Sequence, residues 1–164
     1  MDIGWQVWSD GRLEGLTLYA LQITSIPNNI ENLTSLRYLN LHFNQITSIP
    51  ETIGELTQLT EFYLEVNQIG TLPESIGNLS NLITLNINDN QLISIPESIG
   101  NLSSLEYFNS HSNALTSLPE SFVNLTKLRY LILDNNQLTS LPEDIGNIGS
   151  DNGNQWNVLH LHNN

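Results

Sequence analysis

The sequence predicts an α/β solenoid, a curved stack of similar units with a parallel β-sheet on its concave side and short helical or 3₁₀ segments on its convex side. Two observations lead to this fold class. A leucine recurs every 23 residues without a slip, and each leucine opens the same pattern of apolar positions. One unit cannot bury its apolar face alone, so the units must stack around a shared core. The opening leucines of the six units are Leu13, Leu36, Leu59, Leu82, Leu105 and Leu128.

Each unit begins with a strand pattern at positions 3 to 7, counted from its opening leucine. In the second unit Tyr38, Asn40 and His42 alternate with Leu39 and Leu41. This period of two places the leucines in the core and the other three side chains on the solvent face. Stacked units then place their strands side by side in one parallel sheet.

An asparagine follows the strand at position 9. Its amide can pair with backbone groups that the turn leaves unpaired, and an unpaired buried polar group costs about 1 to 3 kcal/mol. The first unit has Leu21 at this position, which fits the rule that terminal units of solenoids are atypical. The column consists of Asn44, Asn67, Asn90, Asn113 and Asn136.

A Pro-Glu pair at positions 15 and 16 predicts the first turn of a short helix, because proline is tolerated there. The glutamates then lie where the helix dipole favours an anion. They are Glu51, Glu74, Glu97, Glu120 and Glu143. Glycines three residues later are expected to supply the permissive backbone of a helix cap or tight turn. They are Gly54, Gly77, Gly100 and Gly146.

The full pattern, LxxLxLxxNxLxxLPExIGNLxx, resembles the leucine-rich repeat family over about residues 13 to 164. The resemblance implies a non-enzymatic recognition module that binds a protein or peptide on its concave face. The preceding run, WxVWxDGRL, resembles the N-terminal cap of plant and bacterial members. Trp5 and Trp8 are therefore expected to cover the first layer of the core.

These patterns divide the chain into an N-terminal cap at residues 1–12, six repeats at 13–150, and an insertion loop with a truncated seventh repeat at 151–164. The loop sequence, GSDNGNQ, is polar and rich in glycine. The seventh repeat resumes at Trp156 and stops at Asn164. An open sheet edge there implies one of two things: the sequence is a piece of a longer protein, or the edge pairs with another copy of the chain.

Composition narrows the function. A net charge of −13 and a pI near 4.3 oppose nucleic-acid binding. No apolar run approaches the ~20 residues that cross a bilayer, so membrane insertion is not expected. The chain has no cysteine and no motif of a nucleophile, phosphate loop or metalloprotease, so neither enzymatic activity nor a cofactor is predicted. The compartment stays open, with an extracellular or cell-surface location slightly favoured.

The partner-binding residues are sought at positions 3, 5, 7 and 8, which vary while the rest of the repeat is nearly constant. Tyrosines recur there between asparagines and carboxylates, and tyrosine is a favoured anchor at interfaces. The acidic face suits a cationic protein or peptide. A glycan-binding surface and a structural repeat that self-associates through its C-terminal edge are the alternatives. The candidates are Tyr38, Asn40, His42, Phe43, Glu61, Tyr63, Glu65, Tyr107, His111, Tyr130 and Asp134.

A metal site was considered at the C-terminal end of the same face. His160 and His162 have the i, i+2 spacing that places two imidazoles on one side of a strand, and Asp134 occupies the same column one layer earlier. Exposed polar side chains on a sheet are usually only solvated. The prediction is therefore no bound metal, with Asp134, His160 and His162 as the alternative.

Overall fold

The computed structural model describes residues 4–148 and 158–164. The predicted insertion loop and Trp156 lie outside these ranges. The described residues form eight strands and six 3₁₀ helices, and no helix among them is long and apolar enough to cross a membrane. The strands are β1 (Gln6–Ser9), β2 (Arg12–Thr17), β3 (Tyr38–Asn40), β4 (Glu61–Tyr63), β5 (Thr84–Asn86), β6 (Tyr107–Asn109), β7 (Tyr130–Ile132) and β8 (Val158–His160). The 3₁₀ helices are Asn28–Asn32, Glu51–Glu55, Glu74–Asn78, Glu97–Asn101, Glu120–Asn124 and Ile145–Asn147.

All eight strands form one sheet in chain order. β1 pairs with β2 in the antiparallel sense, and every later pair is parallel. From β2 to β7, residues 23 apart are register partners, as Tyr38 is with Glu61, whereas Tyr130 in β7 pairs with Val158 in β8, 28 residues later. The predicted solenoid, with its sheet on one side and short 3₁₀ helices on the other, is confirmed.

The strands are shorter than the sequence pattern predicts, since β3 to β8 each end at position 5. The cause is the turn that follows. The residue at position 8 adopts a left-handed backbone in each of these units, with φ of 59° at Phe43 and 55° at Val66. Such a φ is uncommon for bulky and β-branched residues and bends the chain away from the sheet. Interlayer hydrogen bonds nevertheless continue through the turn, as from Phe43 N–H to Glu65 O at 2.9 Å.

The interior is the predicted stack of aliphatic side chains. Leu85 and Ile87 in the fourth unit have no solvent exposure. Phe62 and Phe108 replace leucine at position 4, and the Phe108 ring packs edge-on against Phe122 with 5.4 Å between centroids. The core is therefore continuous from layer to layer.

The asparagine column pairs with backbone as predicted. Asn44 Oδ1 accepts from the N–H groups of Leu21 and Ile23 at 3.1 and 3.0 Å. Its Nδ2 donates to the carbonyls of Leu18 and Leu41 at 2.7 and 2.8 Å. Each amide thus joins its own turn to the turn of the preceding layer.

The convex glutamates also join layers. The carboxylate of Glu51 accepts from the N–H of Ser75 at 3.1 Å, and Glu97 accepts from Ser121 in the same way. Four of the five predicted glutamates begin a 3₁₀ helix. Glu143 does not, because the last helix begins at Ile145.

The expected reason for the repeated glycines was wrong. Gly54, Gly77 and Gly100 do not have positive φ. They instead leave room for the next layer: a Cβ built on Gly54 would lie 2.7 Å from both the Cβ and the carbonyl oxygen of Ser75. The fifth unit has Val123 at this position.

The N-terminal hairpin of β1 and β2 adds an antiparallel strand before the first repeat. Trp5 and Trp8, expected to cover the core, are 62% and 60% exposed. Trp5 lies opposite Thr17, whose N–H donates to its carbonyl at 2.8 Å, so its ring stands on the solvent side of the sheet. Trp8 donates its indole N–H to Gln6 at 3.1 Å. The prediction that these rings cover the core was wrong.

Candidate partner-binding face

The concave wall consists of the side chains at positions 3, 5 and 7 of every layer. Strand pairing in register puts each position into a column across the arc, and successive strands lie ~4.8 Å apart. The second layer contributes Tyr38, Asn40 and His42. These side chains are half-buried rather than enclosed, so the wall is open to a partner.

Aromatic rings form a continuous strip across the first three layers. The Trp5 ring meets Tyr38 edge-on with 6.4 Å between centroids, and Tyr38 meets Tyr63 at 5.5 Å. We name Trp5, Tyr38, Glu61, Tyr63 and Glu65 the acidic aromatic cluster. Trp5 was missed as a face residue, although its antiparallel pairing opposite position 5 of the first unit would have placed it there.

The third layer supplies both carboxylates of this cluster, in the order Glu61, Tyr63, Glu65. The Tyr63 hydroxyl donates to Glu61 Oε2 at 2.7 Å. Burial, this hydrogen bond and the neighbouring negative charge raise the pKa of Tyr63 well above its usual range. The phenol therefore stays protonated and holds the Glu61 carboxylate against the wall.

Glu65 is largely enclosed in the wall, with 14% of its side chain exposed. Its Oε1 lies 3.6 Å from His42 Nδ1. Its Oε2 is buried without a hydrogen-bond partner among the described residues. Burial raises the pKa of Glu65, although its own backbone N–H, His42 and the nearby Asn86 amide favour the charged form. The Glu65 carboxylate is thus only partly paired among the described residues.

Tyr19, His42 and Phe43 group at the end of the wall where the strands finish. Tyr19 meets His42 edge-on at 5.2 Å and Phe43 at 6.1 Å. Phe43, whose backbone is left-handed, is 53% exposed. These rings extend the aromatic surface beyond the columns.

A second aromatic group occupies the fifth and sixth layers. The rings of Tyr107 and Tyr130 lie 5.9 Å apart, and Ile132 stands beside Tyr130 on the same strand. We name these three residues the apolar aromatic cluster. The nearest hydrogen-bond partner of Tyr107 is the Asn109 amide, at 3.5 Å. This cluster thus has aromatic area without a carboxylate bonded to it.

Asp134 lies at the centre of the C-terminal histidines. His160 Nδ1 and His162 Nδ1 lie 3.3 and 3.1 Å from its two oxygens, and the His162 N–H donates to it at 2.7 Å. Partial burial opposes its ionisation, but these contacts outweigh it and lower the pKa of Asp134. His111, also predicted for this face, instead approaches Asn135 at 3.5 Å. Within the described ranges no three such side chains are arranged to hold a metal ion.

The concave wall carries carboxylates but no lysine or arginine. The four basic residues of the chain are excluded from positions 3, 5 and 7 and precede or begin the strands instead. They are Arg12, Arg37, Lys127 and Arg129. Arg129 lies 3.7 Å from Glu106, at position 2 of the previous layer. The wall therefore presents carboxylates and histidines without a lysine or arginine between them.

Comparison with known proteins agrees with this geometry. A profile of the family described as leucine-rich repeat region matches residues 16–117, and a single leucine-rich repeat matches 127–148. No curated protein sequence matches the chain. A leucine-rich repeat protein of Leptospira interrogans is similar in structure, with a TM-score of 0.67 and 32% identity, over 83% of this chain and 41% of that one.

Two further solved structures are similar. The leucine-rich repeat ectodomain of a plant membrane receptor kinase from Arabidopsis thaliana, solved in complex with Casparian Strip Integrity Factor 2, has a TM-score of 0.74 and 34% identity over 83% of this chain and 17% of that one. An internalin from Listeria monocytogenes has a TM-score of 0.70 and 29% identity over 83% and 40%. The chain thus spans less than half the length of each of these three proteins.

The stacked parallel sheet with its asparagine column defines a repeat solenoid of the kind used for recognition. The chain belongs to the leucine-rich repeat family. Members of this family commonly mediate protein or peptide binding. The family is generally a non-enzymatic scaffold.

Proposed function

We propose that the chain is a recognition module that binds a protein or peptide on its concave wall. The observation that supports it most is the pair of tyrosine clusters standing half-exposed on a wall without lysine or arginine. Tyrosine offers a large, rigid contact area with a polar tip, and interface anchors of this kind contribute about 2 kcal/mol or more. The Arabidopsis ectodomain, solved with a bound partner, supports the same use of the fold.

The excess of carboxylates favours a partner of positive charge. With −13 on the chain and Glu61, Glu65 and Asp134 on the wall, a basic segment gains from long-range attraction and from pairing at contact. Affinity for such a partner falls as salt rises, because exposed charges are screened over about 10 Å at 0.1 M salt.

Selection from a random peptide library on the immobilised chain tests this proposal. We expect selected peptides to bind the chain and to lose most of their affinity for Tyr38→Ala and Tyr107→Ala. Binding to Trp8→Ala, which removes an exposed aromatic ring away from the wall, should be unchanged. Failure to select any peptide, or equal losses with all three variants, would contradict the proposal.

Two measurements distinguish the recognition module from the two alternative functions. A neutral glycan would bind with an affinity that does not change with salt, whereas a basic peptide would weaken steadily. Self-association through the C-terminal edge would raise the mass measured by light scattering as protein concentration increases. A constant monomeric mass with salt-sensitive peptide binding supports the recognition module.

A further inference from the structure

We propose that the concave wall reads an extended peptide at two side chains, a basic one at the acidic aromatic cluster and an apolar one at the apolar aromatic cluster, with three residues between them. The proposal rests on the proposed function and adds the chemistry and spacing of the partner. It follows from the difference between the two clusters and from the number of layers that separates them.

The acidic aromatic cluster fits a basic side chain. Tyr38 and Tyr63 stand 5.5 Å apart beside the Glu61 carboxylate, which the Tyr63 hydroxyl fixes in place. Glu65, which has one oxygen without a hydrogen-bond partner among the described residues, follows Glu61 and Tyr63 in the third layer. Aromatic rings and carboxylates together favour a guanidinium, which stacks on the rings and pairs with the acids. Arginine is therefore the preferred occupant over lysine.

The apolar aromatic cluster fits a different side chain. Tyr107, Tyr130 and Ile132 offer two tilted rings and an aliphatic branch. The carboxylate of Asp134, two residues after Ile132, is engaged by His160 and His162. Burial of an apolar side chain such as leucine removes this exposed aromatic and aliphatic surface from water without desolvating a free charge.

The layers between the clusters set the spacing. The Tyr38–Tyr63 pair spans the second and third layers, and the Tyr107–Tyr130 pair spans the fifth and sixth. Three layers at ~4.8 Å separate their centres by about 14 Å, which an extended peptide at ~3.3 Å per residue covers in about four steps. Because side chains alternate in an extended chain, residues i and i+4 also face the same side.

The intervening fourth layer suits the middle of such a peptide. It presents only Thr84, Asn86 and Asn88, which are small or polar. Residue i+2, which also faces the wall, therefore needs only a small side chain.

Synthetic peptides of about ten residues in a Ser/Thr background test the spacing. Each contains one arginine and one leucine, in either order, with one, three or five residues between them, and carries a fluorescent label. Binding to the whole 164-residue chain is followed by fluorescence polarisation at low salt. One order of arginine and leucine matches the order of the two clusters along the wall. In that order, we expect the peptide with three intervening residues to bind about tenfold more tightly than the peptides with one or five.

Two double variants assign the side chains to their clusters. Glu61→Gln with Glu65→Gln should abolish the preference for arginine over glutamine at the basic position and keep the preference for leucine. Tyr107→Ala with Tyr130→Ala should do the reverse. Glu31→Gln with Glu55→Gln removes the same charge from exposed convex positions and should change neither. Circular dichroism establishes that each variant is folded.

Equal affinities for all spacings, undetectable binding of the whole series up to about 1 mM, or arginine preference that survives loss of both carboxylates would overturn this inference. Peptides from the random library that still depend on Tyr38 and Tyr107 would leave the proposed function standing. If each double variant loses only the preference of its own cluster, the result would support both this inference and the proposed function.

Discussion

The concave and convex walls are built by the same 23-residue repeat, yet their residues vary to very different degrees from layer to layer. On the convex wall the same Glu, Ser and Gly contacts recur from layer to layer, with the Gly54 backbone packed against Ser75 and Glu51 bonded to its N–H. On the concave wall the same columns hold tyrosine, glutamate, threonine or asparagine. The convex wall fixes the distance between layers, and the concave wall is free to vary because its side chains point into solvent.

This difference predicts that stability and binding depend on different parts of the repeat. A change in the core or on the convex wall alters how layers stack and should lower the free energy of unfolding. A change on the concave wall should chiefly alter affinity. The following substitutions test that separation, in order of decreasing effect on stability.

The largest effect is expected in the core beneath both walls. Leu85→Ala should lower the free energy of unfolding by about 2 to 5 kcal/mol, because Leu85 has no exposure and the stacked layers cannot close over the cavity. Urea unfolding followed by circular dichroism measures the change. Ile93→Ala, at a side chain that is 59% exposed, is the control and should cost far less.

A smaller loss is expected on the convex wall. Gly77→Ala should destabilise the chain by about 1 to 3 kcal/mol, because the added Cβ would overlap the Ser98 carbonyl and lie 2.7 Å from the Ser98 Cβ. Gly70→Ala is the matched control, since a Cβ there meets no atom within 4 Å. Equal unfolding midpoints for the two variants would show that the layers are not held at contact distance by this glycine.

The glycines show which features of the fold could be predicted from the sequence and which could not. The 23-residue period of the leucines predicted the stack and the register correctly, because burial of leucines depends only on the repeat. The role of the glycines was predicted wrongly, since contact between the Gly77 backbone and Ser98 belongs to neighbouring layers and cannot be seen within one unit. Trp5 was expected to cover the core for a similar reason. The face of the sheet on which Trp5 lies depends on pairing with β2 rather than on its own strand pattern.

The concave wall should show binding loss with little loss of stability. Tyr107→Ala is expected to lower the free energy of unfolding by less than about 1 kcal/mol, because the ring is half-exposed and packs mainly on Tyr130. Affinity for a peptide selected on the chain should fall clearly. Isothermal titration and urea unfolding on the same preparation test both parts, and a large drop in stability would mean that this wall also supports the fold.

The smallest effect, with a defined pH dependence, is expected at Glu65. Burial raises the pKa of this carboxyl, so the folded chain binds its proton more tightly than the unfolded chain does. The resulting stabilisation is fully present below the unfolded pKa and is lost as pH rises through the folded pKa. Glu65→Gln, which is neutral at every pH, should therefore be more stable than the parent at about pH 7, by a few tenths of a kcal/mol.

This gain should shrink towards zero at about pH 4, where the unfolded carboxyl also takes up its proton. Because His42 lies 3.6 Å from Glu65, the comparison is repeated in a His42→Gln background, where the Glu65 effect should persist. Glu55→Gln, at an exposed convex site, should show no such trend. A Glu65→Gln variant less stable than the parent at neutral pH would mean that the carboxylate stabilises the wall through His42. The concave wall would then contribute to folding as well as to recognition.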